Sequence, residues 1–137
     1  MMKRRRRTPL RSLTLILLKL IKGVGVDVVL VNSIKFEEAK QKLTQAEFEY
    51  CSAKPDPSAS FAGKLAAKES IIKAISSLGG DEISSKEIEI VVADSGAPKA
   101  VFSGKAKEAV SSTGLKEIKI SISHSGSYAV AVAVTIL

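Results

Sequence analysis

Cysteine, histidine, tryptophan and long apolar runs are scarce in this chain, and each scarcity removes a class of protein. One cysteine, Cys51, in 137 residues leaves no intrachain disulfide and favours a reducing, cytoplasmic compartment. With no second cysteine near it, Cys51 reads as a small buried apolar residue. One histidine, His124, together with that one cysteine, cannot build a structural zinc site, which takes four such ligands. There is no G-x-S-x-G, no cysteine with a histidine close by and no phosphate loop of the glycine-lysine type, so the familiar nucleophile and nucleotide signatures fail. The longest apolar run of the N-terminal segment, Leu13 to Leu18, is interrupted by Lys19, whereas spanning a bilayer takes about 18–20 such residues. No integral membrane span is expected.

Charge is present but confined. The net charge of +7 would suggest a nucleic acid or an anionic surface as partner. Residues 1–22 hold eight of the 21 basic residues and no acid, which leaves thirteen against all 14 acidic residues from Gly23 onward. The body is thus near −1, and with only four Phe and two Tyr no nucleic-acid interface is expected on it. MMKRRRRTPLRSLTLILLKLIK has the basic start and apolar run of a secretory signal but no small-residue cleavage site. The division expected is 1–22 as a basic extension outside the fold and 23–137 as one domain; attachment to an anionic membrane and export are the alternatives for the extension.

What the body does contain is ordered patterning. KGVGVDVVLV reads as a buried strand whose glycines allow close approach of a neighbour. Ser33 looks like a helix cap before IKFEEAKQKL, and Thr44 with Glu47 forms a capping-box pattern for a second short helix that Lys54-Pro55-Asp56-Pro57 ends. A long helix is expected from Ser60, stopped by Gly79 and Gly80. On it Ala62, Ala66, Glu69 and Lys73 share a stripe, so the acid and base project beside two small side chains. KEIEIVVA, Asp94-Ser95-Gly96 and PKAVFS read as a hairpin, GKAKEAVSST as a short helix closed by Gly114, and EIKISIS and YAVAVAVTIL as alternating strands. The small alanine face of the last strand invites a helix or another subunit. The order β-α-α-α-β-β-α-β-β describes an α+β domain with helices packed on an antiparallel sheet.

Three places carry chemistry: Asp27 inside an apolar strand, Glu69 flanked by Lys68 and Lys73, and His124 between Ser123 and Ser125. A charge in an apolar strand is costly unless paired or on a metal, although Asp27 also suits a helix cap or a backbone acceptor. Glu69 and Lys73 also suit a plain surface ion pair, and the two serines suit ordinary strand-end polarity. Two carboxylates with flanking lysines match Mg²⁺ and a phosphorylated substrate, because Mg²⁺ takes one or two protein carboxylates and completes its shell from phosphate and water.

GVGVDVV at 23–29, FAGKLAAKESIIKAI at 61–75 and ISISHSGSYAVAVAV at 120–134 resemble, in order and spacing, the three signature blocks of the holo-[acyl-carrier-protein] synthases, the small 4′-phosphopantetheinyl transferases. SGAPKAVFSGKAKEAV resembles their glycine-proline stretch. The resemblance implies a 4′-phosphopantetheinyl transferase-like fold and transfer of 4′-phosphopantetheine from coenzyme A to a serine of an apo acyl carrier protein, in support of fatty acid biosynthesis. It implies Asp27 and Glu69 as Mg²⁺ ligands, Lys73 and Lys68 near the pyrophosphate, and catalytic roles for Glu69 and Lys73. Ser123, His124 and Ser125 are implied to meet the adenosine 3′-phosphate end from a neighbouring subunit of a homotrimer. Leu30 and Ser33 depart from the family pattern of an acid and an arginine, which weakens the expectation for carrier docking; Lys35 or Lys40 are conceivable substitutes. A coenzyme A or carrier-binding subunit that has lost turnover is the alternative those departures motivate.

Overall fold

The computed structural model describes Leu13, residues 21–79 and residues 82–137; the rest of the basic extension, Gly80 and Asp81 lie outside the described residues. Strand β1 (Ile21–Leu30) leads through a 3-10 turn (Val31–Ser33) to α1 (Phe36–Lys42), α2 (Gln45–Ser52) and the long helix α3 (Pro57–Ser76). A second 3-10 turn (Ser85–Glu87) precedes the hairpin β2 (Ile88–Val92) and β3 (Pro98–Phe102), then α4 (Gly104–Thr113), β4 (Glu117–Ser125) and β5 (Tyr128–Ile136). β1, β5 and β4 form one antiparallel sheet in that order, and β2–β3 form a second. The α+β reading of the sequence is the architecture found.

The caps explain where the helices begin. Thr44 and Glu47 make the expected reciprocal capping box on α2. Helix α3 starts at Pro57, earlier than the sequence suggests, because the Asp56 side chain accepts from the Ala59 N–H and proline fits the first turn. Ser33 caps nothing: its hydroxyl bonds back to the Leu30 carbonyl at 2.7 Å within the 3-10 turn, and α1 begins after Lys35. Gly114 closes α4 in the left-handed region at φ 73°.

Strand pairing fixes which side chains meet the long helix. Gly25, Ala133 and Ile120 lie in one cross-strand row, Asp27, Ala131 and Ile122 in the next, and Val29, Ala129 and His124 in the third. This is the face covered by α3, and its small residues let the helix sink onto the sheet. A Cβ at Gly25 would collide with the Ser70 carbonyl oxygen, and one at Gly23 with that of Ala74. Ala129, Ala131 and Ala133 are wholly buried there, and Thr135 bonds the Gly23 carbonyl. The alanine face therefore packs on a helix of its own chain rather than on another subunit.

The opposite face is left open. Val24, Val26 and Val28 are 55%, 49% and 55% exposed, and Leu30 and Tyr128 remain exposed beside them. On the far side of α3, a second core of Ala39, Leu43, Cys51, Phe61 and Leu65 packs under α1 and α2, with Phe48 stacked on Phe61 at 5.5 Å. Strand β2 runs alongside with its outer edge held by side chains. The Ile90 N–H donates to Glu47 at 2.8 Å and the Ile90 carbonyl accepts from Lys64, also at 2.8 Å.

Candidate active site

Where α3 crosses β1, the glycines bring strand and helix close enough for their charged side chains to meet. Asp27 projects from the covered face of β1 and is only 17% exposed, and Lys73 reaches it from α3 with Nζ 2.9 Å from Oδ1. The same ammonium donates to the Val26 carbonyl at 3.0 Å. Glu69 lies one turn before Lys73 and one residue before Ser70, whose carbonyl oxygen lies against Gly25. Glu69 makes no hydrogen bond or ion pair among the described residues. The Glu69–Lys73 pair that spacing allows is thus not formed; Lys73 pairs instead with the carboxylate on the strand.

As donors for Mg²⁺ the two carboxylates fit. Asp27 is half-withdrawn from water and already balances a cation, the Lys73 ammonium, while the Glu69 oxygens are uncommitted. Among the described residues no group of three or more His, Cys, Asp or Glu converges. Any hard cation held there draws the rest of its shell from substrate oxygens and water, as Mg²⁺ ordinarily does.

Lys68 corrects the sequence reading. Expected near an anion, it is instead fully buried on the other side of α3. Its ammonium is paired with Glu47 and donates to the carbonyls of Lys42 and Ser85 at 3.1 and 2.9 Å. No donor remains for a phosphate, and no solvent path leads to one. Burial pushes its pKa below the usual lysine value, with the Glu47 hydrogen bond opposing the shift. Successive helix positions diverge by about 100°, so the neighbour of a half-buried Glu69 can face the core.

His124, Ser123 and Ser125 separate. His124 sits on the helix-covered face of β4, where its Nε2 lies 3.0 Å from the Ala59 carbonyl in the first turn of α3. Ser123 and Ser125 pair with Val130 and Tyr128 on the opposite, open face. Gly63, against the His124 ring, and Lys73 are about 15 Å apart along α3 at 1.5 Å per residue. By the same measure Glu69 lies about 9 Å from Gly63, and within one chain the His124 ring bonds to the Ala59 carbonyl and to neither carboxylate.

Comparison with known proteins places this arrangement. Residues 23–133 match the model of the 4′-phosphopantetheinyl transferase superfamily, and the chain belongs to that family. It is 41% identical over 128 residues to the fatty acid synthase subunit alpha of Schizosaccharomyces pombe, a match covering 90% of this chain and 7% of that protein. It is 40% identical over 119 residues to a holo-[acyl-carrier-protein] synthase of Thermoanaerobacter, 82% of this chain and 86% of the relative. Among solved structures, the Helicobacter pylori holo-[acyl-carrier-protein] synthase in complex with coenzyme A superposes with a TM-score of 0.68 at 30% identity, covering 82% of this chain and 98% of that one. The fold is that of the holo-[acyl-carrier-protein] synthases.

Sequence reasoning missed Glu47 and Gly63. The capping box accounted for Glu47 so fully that its second and third bonds, to Lys68 and Ile90, gave no signal. A glycine inside a helical pattern often marks close packing; Gly63 was such a signal.

Proposed function

We propose that this chain transfers 4′-phosphopantetheine from coenzyme A to a serine of an apo acyl carrier protein, releasing adenosine 3′,5′-bisphosphate, in support of fatty acid biosynthesis. The observation that carries the reading is the Asp27–Lys73 contact at the crossing of β1 and α3, with the uncommitted carboxylate of Glu69 one turn away. One kind of relative is named a fatty acid synthase subunit and the other a holo-[acyl-carrier-protein] synthase; the chain spans about 7% of the first and 86% of the second. The domain proposed to carry the activity is 23–137, with β1 reaching back to Ile21, in a reducing, cytoplasmic setting consistent with the free, buried Cys51.

Asp27 and Glu69 would hold Mg²⁺, and the ion when bound would neutralise charge on the coenzyme A pyrophosphate. The residues of the chain do the rest. Glu69 accepts the proton of the carrier serine, directly or through a water, as that oxygen attacks the β-phosphorus. Lys73, half exposed and tethered only by Asp27 and one carbonyl, offers its ammonium to the pyrophosphate as charge grows on the departing bisphosphate. His124 contacts the adenosine 3′-phosphate end.

The distance along α3 between His124 and Lys73 supports a site completed by a second copy, and the open valine face supports the assembly. An apolar sheet face of that kind, bordered by the polar residues Glu117, Lys119 and Ser121 of β4, is the pattern of a subunit contact. We assign a homotrimer with sites between subunits. Incubation of the protein with coenzyme A, Mg²⁺ and an apo carrier, followed by mass spectrometry of the carrier, tests the function. A phosphopantetheine adduct is expected; an unmodified carrier across several carrier types would leave only a binding role.

A further inference from the structure

We infer that Gly63 is a positioning residue for His124, and that with the Ala59 carbonyl it holds the imidazole as the Nε2–H tautomer with Nδ1 as the atom offered to a ligand. A carbonyl oxygen accepts and cannot donate, so the 3.0 Å contact between His124 Nε2 and Ala59 O requires the hydrogen on Nε2. In the neutral ring Nδ1 is then the lone-pair nitrogen, and it makes no hydrogen bond among the described residues. The ring lies this close to α3 because position 63 has no side chain: a Cβ there would stand 3.1 Å from both Cε1 and Nε2 and push the ring back by a few tenths of an ångström. That spacing is tighter than nearly all real Cβ contacts, and the ring, exposed and on a strand end, is the partner that moves. Glycine in mid-helix disfavours the helix, so its presence here coincides with a neighbour that needs the space. That the ring meets the coenzyme rests on the proposed function, where a lone-pair Nδ1 would accept from a hydroxyl or amino donor of the adenosine end rather than face a phosphate oxygen; the tautomer and the role of Gly63 do not.

His124 is the one histidine of the chain, which makes the test unambiguous. Long-range ¹H–¹⁵N spectra, recorded about two pH units above the ordinary imidazole value of about 6.5, should show the wild-type ring with a protonated Nε2 and an unprotonated Nδ1. Gly63→Ala should bring the two nitrogen shifts toward each other as the tautomers mix. Alanine favours a helix over glycine, so the fold should persist, which thermal melting checks. In the transferase assay Gly63→Ala should raise the Michaelis constant for coenzyme A severalfold with turnover at saturation unchanged, and add nothing in a His124→Ala background. A wild-type Nδ1–H tautomer, shifts unmoved by Gly63→Ala, or an equal effect of Gly63→Ala without the histidine would each overturn the inference. Mixed tautomers in Gly63→Ala with unchanged Michaelis constants in both variants would uphold the positioning and count instead against the coenzyme contact.

Discussion

Lys68 and Glu47 form an ion pair in the core with neither side chain meaningfully exposed, and the glutamate also closes the cap of α2 and the edge of β2. Glu47→Ala strands a buried ammonium and should cost about 3–5 kcal/mol, the usual loss when one partner of a buried pair is removed. Replacing both, with Lys68→Met and Glu47→Gln, should recover part of that. Urea unfolding of the three proteins measures it; a loss under about 1 kcal/mol for Glu47→Ala would place the pair among exposed ones.

Stability should also carry the sign of the Lys68 shift. Its pKa is lowered from 10.5 chiefly by burial, so between the lowered value and 10.5 the unfolded chain holds a proton that the folded chain has released. Folding is therefore favoured more as pH rises through that window. The stability difference between wild type and Lys68→Met should move toward the wild type as pH rises toward 10.5, the ordinary lysine value. A difference that stays flat would mean that the lysine titrates alike in both states.

Asp27→Asn and Glu69→Gln should each lower turnover by several powers of ten, with the double variant little worse, because the two carboxylates act as one unit. Stability separates this from structural damage. Lys73 is half exposed, so loss of its contact with Asp27 should cost at most about 1 kcal/mol. Near wild-type, Mg²⁺-dependent transfer by either variant would remove both from the metal assignment.

Deleting residues 1–20 should leave turnover within tenfold of the full chain, a change below about 1.4 kcal/mol in the barrier. The cut stops short of Ile21, which pairs with Ile136 at the start of β1. A larger loss in the transfer assay would give the basic segment a part in catalysis.

Placing a charge on the open sheet face should dissociate the proposed trimer. Val28→Lys, at a position 55% exposed in the single chain, should sediment as a monomer where the parent sediments as a trimer. A wild-type chain that sediments as a monomer with full activity would refute the subunit arrangement.

Much of the fold was legible because its signals are local. Alternation in β4 and β5, the hairpin turn at Asp94-Ser95-Gly96 and the Thr44–Glu47 cap each depend on residues within a few positions, and each formed as read. Asp27 was conspicuous because a carboxylate in an apolar strand is expensive. What stayed hidden depends on which side of α3 faces which neighbour. That helix is covered by the sheet on one side and by α1, α2 and β2 on another, so Lys68 and Glu69, adjacent in sequence, belong to different environments. The partner of Lys73 could not be read either, since spacing suggests Glu69 and only the crossing at Gly25 brings Asp27 within 2.9 Å.

The side-chain bonds at Ile90 have a consequence for the life of the chain among its copies. A two-stranded hairpin leaves a row of unpaired amides and carbonyls that another chain can use as a template for edge-to-edge growth. Glu47 and Lys64 occupy both polar groups of Ile90 at the middle of that row, so an incoming strand would have to displace two charged side chains, one of them rooted in the core. Edge-to-edge pairing along β2 therefore starts at a disadvantage at its central residue.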